Sequence, residues 1–255
     1  MSRALLMISF GTRVPEARES IEQVERALQH AAPGLHVCRA FTSPTIRRIL
    51  AKRGEMVPSL SEALASLEKQ GVTEIIIQPT HMLYGFEYDK IKETVQQFEN
   101  RIPDIRLGKP LLAGSADLRR LADVLMEQYP AREDEALLLM GHGTEHFANA
   151  VYPALQTAFC FAGRTDILVG TVEGWPSIDD IKTQLKKRGY HKAHLVPLML
   201  VAGDHAKNDM AGAHPDSWKS QLEADGVSVR CTIRGLGVLP EIQRMYADHL
   251  SELLR

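Results

Sequence analysis

Leu5-Leu6-Met7-Ile8-Ser9-Phe10-Gly11-Thr12 and Leu138-Leu139-Met140-Gly141-His142-Gly143-Thr144 read as two versions of one motif. Each is an apolar run closed by glycine and threonine. An unbroken apolar run of this length, ended by a turn signal, predicts a strand buried on both faces, as in a parallel sheet. A second echo lies further along. The segment from Gly71 (Val-Thr-Glu-Ile-Ile-Ile-Gln-Pro) parallels the one from Gly189 (Tyr-His-Lys-Ala-His-Leu-Val-Pro). Gly71/Gly189, Pro79/Pro197 and Gly85/Gly203 all keep one offset, and Ala40-Phe41-Thr42-Ser43 aligns with Gly170-Thr171-Val172-Glu173. Unrelated βα units would share the alternation but not the spacing. A unit duplicated in tandem explains both.

Working outward, short apolar runs alternate with segments of helical period. Strands are predicted at 3–10, 35–41 and 74–79, with helices at 15–28 and from about Glu87. The later copy gives strands at 136–140, 167–172, 193–198 and 227–233, and helices at 147–159, 178–187 and 240–254. This alternation defines an α/β fold of two tandem Rossmann-like parallel-sheet halves. The boundary falls in the stretch 115–134 and is drawn as 1–125 and 126–255, with the terminal helix able to pack back on the first half.

The chain has 255 residues, 44% hydrophobic and 24% charged, with a net charge of −2. It can bury a real core, and its charge argues against a nucleic-acid binder. The apolar run Ala4–Phe10 is too short for a signal-peptide core or a membrane span. Cys38, Cys160 and Cys231 are scattered and form no C-x-x-C pair, which suits reduced thiols and a cytoplasmic location.

Ligands of doubly wound sheets bind beyond the carboxyl ends of the strands. In the second half that edge carries His142, Glu173 and His205 at three strand ends; the first half has Phe10, Ser43 and Glu87 at the equivalent positions. Only the second half holds a full ligand set, with Glu87 and His81 in a supporting role. Two imidazoles and a carboxylate suit a borderline divalent cation, and imidazole can also accept a proton near neutral pH. The glycines beside His142 are expected to let a flat ligand approach the backbone. His142 and His146 have zincin spacing, but the order H-E-x-x-H is absent, and His146 reads as a polar residue at a helix start. No Walker loop, nucleophile elbow or dinucleotide fingerprint is present.

Several strings resemble the anaerobic sirohydrochlorin cobaltochelatases (CbiK-type class II chelatases). They are Met140-Gly141-His142-Gly143-Thr144, Gly170-Thr171-Val172-Glu173-Gly174-Trp175-Pro176 and the run from Pro197 to Met210. Ser9–Thr12, Arg39–Ser43, Gln78–His81 and Asp216–Lys219 extend the likeness over nearly the whole chain. Trp175 stands where tyrosine is frequent, and Val238 where glutamate is frequent.

The resemblance implies a tetrapyrrole bound between two Rossmann-like halves and ATP-independent insertion of Co²⁺ into sirohydrochlorin on the anaerobic route to cobalamin. It implies metal binding by His142, Glu173 and His205, with both histidines also taking protons, and places His81 and Glu87 at the substrate. Co²⁺ is then a substrate, and no tightly bound cofactor is expected. Sirohydrochlorin is rich in carboxylates, for which Arg13, Arg47, Lys90 and Lys207 are candidate partners. Self-association into a homo-oligomer is common among such proteins. Fe²⁺ insertion giving sirohaem, and a tetrapyrrole or metal carrier without turnover, are the alternatives.

Overall fold

A computed structural model describes residues 2–255. The elements follow in the order β1 (Arg3–Ser9), α1 (Pro15–Ala31), β2 (His36–Phe41), α2 (Pro44–Lys52), α3 (Leu60–Lys69), β3 (Glu74–Pro79), α4 (Phe86–Gln96) and β4 (Asp104–Leu107). Then come α5 (Ser115–Gln128), β5 (Glu135–Gly141), α6 (Val151–Phe161), β6 (Ile167–Thr171), α7 (Ile178–Arg188), β7 (Lys192–Pro197), α8 (Trp218–Ala224), β8 (Ser228–Cys231) and α9 (Pro240–Leu253). The chain divides into two compact units. One holds the chain up to Ala113 together with Gly237–Arg255; the other is Gly114–Leu236. Helix α5 thus belongs to the second unit and α9 to the first. No described helix is long and apolar enough to cross a membrane.

Each unit is built on one four-stranded, all-parallel sheet, ordered β2-β1-β3-β4 in the first and β6-β5-β7-β8 in the second. The repeat seen in the sequence is a repeat of register. Ile8 stands opposite Ala40 and Pro79, and Met140 stands opposite Gly170 and Pro197. In each sheet the chain leaves the first strand to one side and returns on the other. The reversal falls between β1 and β3, and between β5 and β7. Crevices at the carboxyl ends of such strands are where doubly wound sheets hold ligands.

The strands form because their residues are apolar on both faces and helices cover both sides. In the first unit Leu6, Ile8, Ile75 and Ile77 pack with Leu64 and Leu67 of α3 and Ile91 and Val95 of α4. In the second, Leu138, Met140 and Leu195 pack with Ile181 and Leu185 of α7 and Trp218 and Leu222 of α8. Each such side chain contributes about 1.5–3 kcal/mol by leaving water. Helix α9 is tied to the first unit by the buried Tyr246 hydroxyl, which donates to the Thr80 carbonyl at 2.8 Å. Helix α7 is polar along much of its length and starts with a capping box between Ser177 and Asp180. Gly189, in the left-handed region at φ 72°, ends it.

The predicted helix at 147–159 begins as a 3-10 turn, Phe147–Ala150, before α6. The edge strands β4 and β8 are four residues each, β8 being shorter than its apolar run suggests.

Candidate metal centre

His142 follows directly on β5, and its position is fixed from several directions. The β5 ladder continues past the strand: Val172 N–H donates to the Gly141 carbonyl at 3.1 Å and Glu173 N–H to the His142 carbonyl at 2.8 Å. The loops that carry His142 and Glu173 are therefore hydrogen-bonded to each other. Gly143, at φ +85°, lies where a Cβ would sit 2.7 Å from Gly174 N and 2.8 Å from the Glu173 carbonyl carbon. A Cβ on Gly141 would collide with the Tyr152 ring. The expectation that these glycines admit a flat ligand is thus corrected: what approaches them is the protein's own backbone and Tyr152.

Two side chains from the following turn and helix finish the support. The Tyr152 hydroxyl accepts from Gly143 N–H at 3.3 Å, and burial pushes that hydroxyl's pKa up. Asn149 braces both loops, its Oδ1 accepting from Thr144 N–H at 3.1 Å and its Nδ2 donating to the Trp175 carbonyl at 2.6 Å. The Glu173 loop closes on itself where Thr171 N–H donates to the Pro176 carbonyl at 2.7 Å. Asn149 and Tyr152 escaped the reading of the sequence, which offers no signal for them beyond their place on the segment after His142.

His205 comes from the loop after β7 and opens a π-helical turn, His205–Met210. Ala206 and Met210 are fully buried and anchor this turn in the core. His205 is half-buried, with Nδ1 2.5 Å from Asp209 Oδ2. The result is a convergence. Donor atoms of His142, Glu173 and His205 all lie within 4.8 Å of one another. The His142 and His205 rings are 4.5 Å apart between centroids, and Glu173 Oε2 is 3.7 Å from His142 Nδ1.

A first-row cation sits about 2.0–2.2 Å from such donors, which places donors roughly 3–4 Å apart. The three donors, all within 4.8 Å of one another, lie near that spacing. His142 Nδ1 lies 2.9 Å from the Gly143 carbonyl. A carbonyl only accepts, so the proton is on Nδ1 and the Nε2 lone pair is free.

The remaining candidates are distributed over both units. His81 follows β3 in the first unit, and neither ring nitrogen has a hydrogen-bond partner or solvent contact. Burial lowers its pKa to about 4 against the pull of Glu87. Burial pushes the Glu87 carboxyl up, but the Lys90 hydrogen bond at 2.7 Å, helped by nearby charge, brings it below its ordinary range. Lys90 is thereby paired with Glu87 rather than standing alone. Arg47 meets the Glu62 carboxylate and the Val57 carbonyl. Arg13 and Lys207 are exposed. Ser43, the counterpart of Glu173, caps α2 by accepting from Ile46 N–H. His146 caps the 3-10 turn in the same way, Nδ1 accepting from Ala148 N–H at 3.0 Å.

The fold is that of the class II chelatases. The solved structure of SirB from Bacillus subtilis with Fe³⁺ matches with a TM-score of 0.67 at 15% identity, covering 99% of this chain and 95% of that one. The chain belongs to the cobalt chelatase (CbiK) family, whose model matches residues 3–255. It is 39% identical to the sirohydrochlorin cobaltochelatase of Salmonella typhimurium, over 100% of this chain and 97% of that protein. It is 33% identical to the sirohydrochlorin cobaltochelatase CbiKC of Nitratidesulfovibrio vulgaris, over 98% and 89% respectively.

Proposed function

We propose that the protein inserts Co²⁺ into sirohydrochlorin without ATP, on the anaerobic route to cobalamin, with His142, Glu173 and His205 presenting the metal. The observation that carries this reading is the convergence of those three side chains at the ends of β5, β6 and β7, in a chain of the cobalt chelatase family.

The chemistry follows from the donor set. Two imidazoles and a carboxylate hold Co²⁺ with moderate strength, and three single-atom donors leave coordination positions to which pyrrole nitrogens can add. His142 and Glu173 are exposed and His205 half-buried, so the ion can leave on its open side. Insertion releases two pyrrole protons for each metal taken up. As the ion passes to the macrocycle, the two Nε2 lone pairs that held it become available, and His142 and His205 accept those protons. Glu173 neutralises charge while the ion is bound. We assign Arg13, Lys90 and Lys207 to substrate carboxylates and place His81 and Glu87 against the macrocycle. His81, neutral above about pH 4, serves there as a hydrogen-bonding group and not as a base.

The donor set accepts Fe²⁺ as well, so metal supply decides between the two ions. The three cysteines are free thiols, in keeping with the reducing cytoplasm we assign as the site of action.

The test is anaerobic absorbance spectroscopy with sirohydrochlorin and Co²⁺, run beside Fe²⁺ and the His205→Ala variant. Multiple-turnover conversion with cobalt, lost in the variant, is expected. A stoichiometric spectral change without turnover for either metal would replace this reading with that of a carrier.

A further inference from the structure

We propose that Asp209 is a positioning residue for His205: its carboxylate holds the imidazole proton on Nδ1 and so turns the Nε2 lone pair to the metal. This rests on the reading of His205 as a metal ligand. The Nδ1–Oδ2 separation is 2.5 Å, and an ionised carboxylate can only accept. The proton therefore lies on Nδ1, and Nε2 is the nitrogen with a lone pair to give. Without such a partner an imidazole divides between two tautomers and two ring orientations.

The local fold makes the contact dependable. His205 and Asp209 are four residues apart on the π-helical turn, so their side chains share one side. Ala206 and Met210, spaced alike, are sunk in the core on the neighbouring face. The turn cannot rotate without exposing Met210. Single-turn π-helical segments are frequent at functional sites, and here the turn joins a core anchor to a ligand and its partner.

The two imidazoles are held differently. His142 Nδ1 meets a backbone carbonyl, that of Gly143, which no side-chain replacement removes. His205 depends on a carboxylate, which also raises the donor strength of the opposite nitrogen. Asp209 is not among the three converging donors; it acts through His205.

The test uses full-length protein, metal-free and with Co²⁺ alone, comparing wild type with Asp209→Asn, Asp209→Ala, Asp209→Glu and His205→Ala. Nitrogen-15 shifts of the labelled His205 ring report its tautomer before metal is added, and titration reports Co²⁺ affinity. Wild type should show Nδ1–H alone. Asp209→Asn and Asp209→Ala should show a mixed or inverted tautomer, with affinity lower by about 10–100-fold and an unchanged thermal midpoint. Asp209→Glu should restore part of both. An unchanged tautomer, with affinity within about twofold of wild type in Asp209→Asn and Asp209→Ala while His205→Ala loses binding, overturns the proposal and leaves His205 a ligand. Undiminished Co²⁺ binding by His205→Ala would instead overturn the ligand reading, and the proposal with it.

Discussion

The imidazoles of His142 and His205 meet edge to face, with centroids 4.5 Å apart and ring planes at 81°. On the proposed function, rings held this close serve one ion together, not two ions separately. Their losses should therefore not add. His142→Ala and His205→Ala are each expected to lower cobalt insertion by on the order of 100-fold or more, and the double variant by less than about tenfold beyond either single one. Steady-state turnover of the three variants checks this; multiplying losses would mean that the histidines act independently.

Gly143 carries two demands at once, a left-handed backbone and room for the Glu173 loop. Gly163 has a similar conformation, φ +78°, with nothing near its absent Cβ. Gly163→Ala should cost about 1–2 kcal/mol, the price of the left-handed region alone. Gly143→Ala should cost more, because the Gly174 and Glu173 backbone must also move, and should weaken Co²⁺ binding while Gly163→Ala does not. Denaturant midpoints and cobalt titration of both variants separate the two contributions.

Asn149 links the His142 loop to the Glu173 loop without touching the converging donors. Asn149→Ala should keep the three donor residues but loosen the two loops that carry His142 and Glu173, and cost about 0.5–1.5 kcal/mol, since water reaches the Thr144 N–H and the Trp175 carbonyl. Turnover should fall by roughly tenfold through donor misplacement. A variant as active as wild type, with ordinary metal affinity, would show that the loops hold their spacing unaided.

His194 gives the stability of the second unit a pH dependence. Burial, assisted by the charge of Arg230, lowers its pKa to about 4, and its Nε2 lies 2.7 Å from the Thr232 hydroxyl. An unfolded chain protonates histidine near about pH 6.5. Between those values the unfolded state binds a proton that the folded state refuses. Stability therefore rises with pH across that window, is fully present above it, and falls by up to about 3 kcal/mol on acidification toward pH 4. Denaturant midpoints from pH 4 to 8 should show this slope, and His194→Gln should flatten it. An equal slope in the variant would assign the effect elsewhere.

The buried strands were legible because their apolar character is continuous: the predicted 74–79 run is β3 to the residue. One edge strand was not: β4 is Asp-Ile-Arg-Leu, too short and too charged to stand out. Helices α2, α3, α5 and α8 fell in stretches treated as connection, although the Ser59–Glu62 capping box at the start of α3 is a signal of the kind that marks helix starts. The convergence of His142, Glu173 and His205 was legible from strand ends alone, because topology brings such ends together. Asn149, Tyr152 and Asp209 were not, because an asparagine, a tyrosine and an aspartate acquire their roles only from what folding sets beside them. Arg47 shows the same limit: its charge is plain in the sequence, its partner Glu62 only in the structure.

The shared register gives the first unit the status of a template on which the ligand set was never written, or from which it was erased. Phe10, Ser43 and Glu87 occupy the counterparts of His142, Glu173 and His205, on a sheet whose strands align residue for residue with those of the second. Transplanting the set there would ask little of the strands themselves. Its main toll would be the Ser43 cap on α2, worth about 1 kcal/mol. A protein grown by copying itself has thus kept one copy free to specialise, and a protein engineer inherits the vacancy.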